Sequence, residues 1–195
     1  EGRRVTSRGS ILIADDEETF LFSTAELLRR EGYECVTATD GAEVLARLAH
    51  QSFDVLISDL DMPGNVDMGL IREALVVAPT MTAVIATGAP SAPTMHASLD
   101  LAVARYLLKP VELDQLFRAV EAGVARSRAA RSVLEAEKCL EAWRQEFDRT
   151  CESNRGDLFS GAQSHLLIRT VAAATKSLQY LRNARLAQSA SAKVS

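Results

Sequence analysis

Five polar residues directly follow short apolar runs, where strands of a sheet would end: Asp15, Asp16, Asp59, Thr87 and Lys109. Carboxylates that crowd together repel each other unless a cation is present. Oxygen ligands suit a hard cation such as Mg²⁺, which keeps several waters and takes one or two carboxylates plus a substrate phosphate. A lysine can hold a phosphoryl oxygen, and a threonine hydroxyl can donate a hydrogen bond to it. These residue types indicate a site where one aspartate acts as a nucleophile toward phosphorus.

The five residues can meet only if the apolar runs before them belong to one sheet. The predicted strands are 10–14, 33–38, 55–58, 82–86 and 106–108. The third reads Val-Leu-Ile-Ser without polar alternation, which is typical of a central strand covered by helices on both faces. Strands that alternate with helices predict a parallel sheet, in which the carboxyl ends of the strands converge on one edge.

Helices are predicted between these strands from apolar residues at helical spacing. The first ends at Gly32, and Asp40 is a candidate N-cap for the second. The third begins at Asp67 or a neighbour and ends before Pro79. Ser91 can cap a fourth helix that extends through Leu101.

Taken together, these motifs resemble the receiver domain of two-component response regulators over residues 10–126, after a tail of residues 1–9. The resemblance rests on Asp15-Asp16, the run Asp-Leu-Asp-Met-Pro-Gly from Asp59, Thr87, and Lys109-Pro110. It implies an α/β, flavodoxin-like, doubly wound fold with five parallel strands in the order 2-1-3-4-5. It also implies a cytoplasmic, stoichiometric phosphoacceptor rather than an enzyme that turns over a substrate.

The resemblance assigns a role to each site residue. Asp59 is the phosphoacceptor, Thr87 and Lys109 contact the phosphoryl group, and Tyr106 is an aromatic switch residue that turns inward when Thr87 moves. The implied Mg²⁺ ligands carry oxygen: Asp15, Asp16, Asp59 and the backbone carbonyl of Asp61. The implied phosphoryl donor is a sensor histidine kinase or a phosphotransfer protein.

Two stretches depart from the usual receiver pattern. After Gly64 the family usually continues directly into an Asp-Gly pair, whereas here the residues are Asn65-Val66-Asp67-Met68-Gly69. This predicts a longer or reshaped loop. The stretch 100–105, before Tyr106, lacks the Gly-containing turn often found there, so we expect an atypical surface at the fourth helix and fifth strand.

Beyond Pro110 the chain is predicted to be helical, with a module at 127–187 and a frayed tail at 188–195. One apolar stripe follows a nearly heptad spacing: Val133, Ala136, Leu140, Trp143, Phe147 and Cys151. After a turn at 153–157, a last helix carries a second stripe: Leu167, Val171, Ala174, Leu178 and Leu181. Residues 126–131 form a poor stripe, which suggests a register change or hinge. Two helices with one apolar stripe each predict a hairpin that dimerises into a four-helix bundle.

Charge leaves a second function open. Residues 1–113 carry 9 basic and 17 acidic side chains, whereas residues 151–195 carry 6 basic and 2 acidic ones. A DNA-binding regulator that uses the basic terminal helices is the alternative, as is a regulator whose effector domain lies beyond this sequence. Nucleic acid is the less favoured partner because no helix-turn-helix pattern is visible. A magnesium-dependent phosphatase with Asp59 as its nucleophile is a third reading.

Two further features concern the environment of the chain. No apolar run approaches the roughly 20 residues that span a bilayer. Three cysteines without metal-ligand spacing predict reduced thiols.

Overall fold

The computed structural model describes residues 7–65, 68–90, 101 and 103–153. Within them, strands and helices alternate from the first strand through the fourth, as the apolar pattern predicts. The elements in chain order are β1 Ser10–Ala14, α1 Glu18–Arg30, β2 Glu34–Ala38, α2 Gly41–His50, β3 Val55–Ser58, α3 Gly69–Val77, β4 Thr82–Thr87, β5 Val103–Leu108 and α4 Leu113–Ser153.

The strands form one parallel sheet in the order β2-β1-β3-β4-β5, which confirms the predicted fold class. β3 lies at the centre, and Val55 to Ser58 are all buried. Its register pairs Ala14 of β1 with Ser58. The residues that follow these two, Asp15 and Asp59, therefore leave the sheet side by side.

The core has two main clusters because alternate residues of each strand point to opposite faces. The first joins Ile11, Ile13 and Ile57 to apolar residues of α1 and of the first turns of α4. The second joins Leu12 and Leu56 to α2 and α3. Burial on both faces explains why β1 and β3 are apolar without alternation.

Several boundaries differ from the sequence predictions. β5 begins at Val103 rather than Tyr106, because its pairing with β4 is irregular: Ala83 pairs with Val103, but Val84 pairs with Arg105. Such a bulge interrupts the alternation that sequence reading depends on. β2 begins one residue later than expected, at Glu34.

The start of the third helix also differs from the prediction. α3 begins at Gly69, and its N-cap Met68 has a left-handed backbone with φ of 61°. Asp67 and the helix predicted from Ser91 lie outside the described residues.

Contacts divide the chain into two compact units, residues 1–130 and 131–195, and α4 contributes residues to both. In the first unit, Leu116, Ala119, Val120 and Val124 of α4 are buried. The helix is continuous through 126–131, where the sequence suggested a register change or hinge.

In the second unit, Val133 is 38% and Trp143 55% exposed, and Leu140 is half-buried. The side chain of Phe147, and all of Leu167, Val171, Leu178 and Leu181, lie outside the described residues. In the described part of the chain, no helix has both the length and the apolar character needed to cross a bilayer.

Candidate functional site

The carboxyl edge of the sheet brings three predicted residues into direct contact. Lys109 Nζ lies 2.6 Å from Asp15 Oδ2 and 2.7 Å from Asp59 Oδ2. Asp15 is fully buried and Asp59 is 6% exposed. Asp16 joins them, because one carboxylate oxygen from each of the three aspartates lies within 4.8 Å of the others.

Backbone contacts at the strand ends hold these residues in register. The Asp59 N–H donates to the carbonyl of Ala14, and the Lys109 N–H donates to the carbonyl of Thr87. Lys109 Nζ also lies 4.6 Å from the centroid of the Phe20 ring, in cation–π range. The ammonium group is therefore held over the two buried carboxylates.

The electrostatics of the pocket favour an additional cation. Burial raises the pKa of Asp15, and its hydrogen bond with Lys109 offsets this only in part. Burial alone would lower the pKa of Lys109, but the hydrogen bonds and the negative charges of Asp15 and Asp59 together raise it. One ammonium group thus faces three carboxylates, and a bound cation would relieve the remaining repulsion.

The donor set fits a hard divalent cation. Its ligand atoms are carboxylate oxygens, which Mg²⁺ prefers. Asp16 is exposed, whereas Asp15 and Asp59 are buried, so one side of the cluster is open to water and to an incoming phosphate. The Glu17 N–H donates to Asp15 Oδ1 and holds that carboxylate at the start of α1.

The Thr87 side chain is connected to the site through Asp61. Its hydroxyl donates to Asp61 Oδ2 at 3.1 Å and accepts from the Ala89 N–H at 3.2 Å. The Asp61 N–H donates to Asp59 Oδ1 at 3.2 Å, which closes a tight turn after β3. The sequence suggested a role only for the Asp61 carbonyl and did not anticipate this contact of its carboxylate.

Tyr106 lies on the edge strand β5 and is half-buried. It packs against the third apolar cluster, which includes Leu60, Ile71 and Ile85. Its role as a switch residue stays a prediction.

Asn65 is a site neighbour that sequence reasoning missed. Its side-chain amide donates to the carbonyl of Asp59 at 2.6 Å. The only signal for it was the unusual loop after Gly64.

Comparison with known proteins agrees with this geometry. The profile of the response regulator receiver domain matches residues 11–121. The Escherichia coli transcriptional regulatory protein GlrR is 36% identical over 120 residues, which cover 62% of this chain and 27% of that protein. The E. coli DNA-binding transcriptional regulator NtrC is 31% identical over 125 residues, or 60% of this chain and 25% of that protein.

A solved structure shows the same fold. The CheY-like receiver domain protein from Methanospirillum hungatei has a TM-score of 0.59 and 28% identity, and the match covers 62% of this chain and 96% of that one. The chain spans about a quarter of the length of the curated relatives it matches. With residues 11–121 matched and the acidic pocket at the expected sheet edge, the chain belongs to the family of response regulator receiver domains of two-component signal transduction.

Proposed function

We propose that this chain is a phosphorylation switch of the cytoplasm in which Asp59 accepts the phosphoryl group. The observation that carries the proposal is the contact of Lys109 with two buried carboxylates at 2.6 and 2.7 Å. Burying two acids against one base is costly, because one negative charge is left without compensation. In a phosphoacceptor site, the carboxylates can balance a bound metal ion and the ammonium group can balance the incoming phosphate.

The Mg²⁺ ligands in this proposal are Asp15, Asp16, Asp59 and the backbone carbonyl of Asp61. When bound, the ion supplies charge neutralisation for the phosphoryl oxygens. The nearness of the three carboxylates supports this ligand set. Exposed Asp16 leaves room for the water that Mg²⁺ retains.

The donor is the phosphohistidine of a sensor histidine kinase or a phosphotransfer protein. A carboxylate oxygen of Asp59 forms the new bond to phosphorus while the phosphorus–nitrogen bond breaks, and the imidazole keeps the electron pair. Lys109 stabilises the negative charge on the transferring group.

A groove of about 500 Å³ beside Lys109 offers the donor domain a place to dock. It lies between α1 and the start of α4, and its walls include apolar and hydroxyl side chains: Thr19, Phe20, Ser23, Leu27, Leu113 and Leu116.

The switch begins at Thr87. Its hydroxyl donates to Asp61 in this state, so it must release Asp61 to donate to a phosphoryl oxygen on Asp59. The site vacated by this movement allows Tyr106 to turn inward, in keeping with the resemblance.

Intact-mass spectrometry after incubation with acetyl phosphate tests the proposal. We expect one phosphoryl group per chain with Mg²⁺ present and none with a chelator. The phosphatase reading predicts instead repeated turnover of a phosphate ester without a lasting adduct. No adduct on the wild-type chain under either condition would contradict the proposal.

We further propose that α4 transmits the switch into a dimerising helical module at 127–187. The exposure of Val133 and Trp143 in the isolated chain supports an apolar contact surface there. Light scattering with and without Mg²⁺ and beryllofluoride, a phosphoryl mimic, tests this. A monomer under all conditions would contradict it.

DNA binding is the alternative output. It is supported by the similarity to NtrC, a DNA-binding transcriptional regulator, and by the basic residues of 151–195. Binding to duplex DNA that weakens steeply with salt would support it. Absence of binding at low salt would exclude it for this chain.

A further inference from the structure

The loop after β3 contains a buried polar side chain that the proposed mechanism does not use. Asn65 is 3% exposed. Its Nδ2 donates to the carbonyl oxygen of Asp59 at 2.6 Å and lies 3.4 Å from Ser58 Oγ. This is the residue at which the sequence departs from the usual receiver loop.

Two donors hold the Asp59 carbonyl. Besides Asn65, the Ser58 hydroxyl donates to it at 2.9 Å. A carbonyl oxygen has two lone pairs and can accept both hydrogen bonds. The two donors therefore fix the peptide group between Asp59 and Leu60. That peptide leads to Asp61, whose N–H donates to Asp59 Oδ1. Its orientation therefore affects both the carboxylate of Asp59 and the direction of the Asp61 carbonyl.

Asn65 lies in a turn that backbone hydrogen bonds hold against the start of α2. Its N–H donates to the carbonyl of Met62, and the Gly41 N–H at the start of α2 donates to the carbonyl of Pro63. Gly64 has a φ of +86°, and a Cβ on Gly41 would lie 3.0 Å from the Gly64 oxygen. The turn packs directly on backbone of α2, so the Asn65 amide has little freedom to move away from Asp59.

The same side chain leaves one polar atom uncompensated. Asn65 Oδ1 is buried, and among the described residues it has no hydrogen-bond partner. An unpaired buried acceptor costs free energy that an apolar side chain of similar size would avoid. Exceptions to the rule that buried polar atoms are hydrogen-bonded are expected mainly at functional sites. The amide donor is the one feature of Asn65 that an apolar residue could not supply.

From these contacts we propose that Asn65 is a positioning residue for the phosphoacceptor. It acts through the main-chain carbonyl of Asp59 and orients the nucleophile together with the Asp61 carbonyl. The inference rests on the proposed function, since it assumes that Asp59 accepts a phosphoryl group with Mg²⁺ bound.

The test compares the wild-type chain with Asn65→Leu, which removes the donor at similar volume, and with Asn65→Asp, which replaces the amide donor by carboxylate oxygen. Phe53→Leu is the matched control, because Phe53 is 1% exposed but lies at the other end of β3. For each variant, the rate of phosphorylation is measured against acetyl phosphate concentration. The Mg²⁺ dissociation constant is measured by calorimetry and the unfolding midpoint in urea.

We expect both Asn65 variants to lower the maximal phosphorylation rate and weaken Mg²⁺ binding by about tenfold, as loss of an orienting partner does at metal sites. The KM for acetyl phosphate should change little, because Asn65 does not touch the donor. Phe53→Leu should lower only the urea midpoint. If Asn65→Leu fails to fold, the isosteric Asn65→Asp still provides the test.

The inference is overturned if both variants keep the wild-type maximal rate and Mg²⁺ affinity and only their urea midpoints fall. Failure of the proposed function has a different signature, since the wild-type chain itself would then take up no phosphoryl group. In that case the Mg²⁺ dissociation constants still decide whether Asn65 orients the acidic pocket. Wild-type affinity in both variants would remove that role as well.

Discussion

Strand β3 has a buried aspartate at each end: Asp54 directly before it and Asp59 directly after it. They are 5% and 6% exposed, so burial does not distinguish them. Asp54 accepts hydrogen bonds from the Ser10 N–H at 3.0 Å and the Ser127 hydroxyl at 3.2 Å. Asp59 shares Lys109 with Asp15 and lies beside Asp16.

The difference between the two ends lies in the partners. Hydrogen bonds from the Ser10 N–H and the Ser127 hydroxyl join Asp54 to β1 and α4 at the amino end of the sheet. Asp59 shares the single ammonium group of Lys109 with Asp15 and lies beside Asp16, so negative charge remains in excess there. Both carboxylates accept hydrogen bonds, but only Asp59 belongs to a cluster of three carboxylates whose net negative charge a bound metal ion would balance.

Phosphorylation should distinguish Asp59 from Asp54 most clearly. We expect Asp59→Asn to abolish uptake of a phosphoryl group from acetyl phosphate, because the nucleophilic oxygen is lost. Asp54→Asn should keep uptake near the wild-type rate. Intact-mass spectrometry measures both, and loss of uptake in Asp54→Asn alone would reverse the roles assigned to the two ends.

Stability should show the opposite ranking. Asp54→Ala leaves the donors on Ser10 and Ser127 without this acceptor, and we expect it to lower the free energy of unfolding by about 2–4 kcal/mol. Ser127→Ala removes the hydrogen bond from α4 to Asp54 and should cost about 1 kcal/mol. Asp59→Asn relieves repulsion and should leave stability unchanged or raised. Urea unfolding checks the series, and a larger loss in Asp59→Asn than in Asp54→Ala would contradict it.

The pH dependence of stability, measured without Mg²⁺, should also distinguish the acidic cluster around Asp59 from Asp54. The pKa of Asp15 is raised by burial, so the folded state binds its proton more tightly than the unfolded chain does. The stability from this group should therefore decrease as pH rises from about 3.8 through the raised pKa. Thermal unfolding should detect this slope, and Asp15→Asn should reduce it.

Added Mg²⁺ provides the control for the pH series. Because the ion favours the ionised carboxylate, the stabilisation it gives should grow across the same pH window. Stabilisation by Mg²⁺ that does not depend on pH would argue against Asp15 as a ligand.

The smallest effect is expected at Asp61. Asp61→Ala frees the Thr87 hydroxyl from its resting contact and keeps the backbone carbonyl in place. We expect beryllofluoride to bind about two- to fivefold more tightly, since a hydrogen bond at an exposed carboxylate contributes about 0.5–1 kcal/mol. Calorimetry measures this, with Asp61→Asn, which retains an acceptor, as the control. Weaker binding in Asp61→Ala would mean that the carboxylate assists the bound state instead.

The positions of Asp15, Asp59, Thr87 and Lys109 could be anticipated because parallel strands bring their carboxyl ends to one edge. Apolar runs mark those ends even in a single sequence. Contacts that lie away from these strand ends leave no such mark. Ser127 and Asp54 are 73 residues apart, and neither residue type stands out locally.

Irregular backbone was equally hard to read from the sequence. The extra length of β5 depends on a bulge beside Ala83, and the approach of Asn65 to Asp59 depends on how a turn packs on Gly41. Both are set by tertiary contacts rather than by local residue preference.

The central claim is that the carboxyl end of β3 supplies the phosphoacceptor. The most direct measurement is reduction of the acyl phosphate with borohydride after phosphorylation, followed by peptide mapping with mass spectrometry. The account predicts a single modified residue, Asp59, in the wild-type chain and none in Asp59→Asn. Modification of Asp15, Asp16 or Asp61 instead, in the wild-type chain, would contradict it.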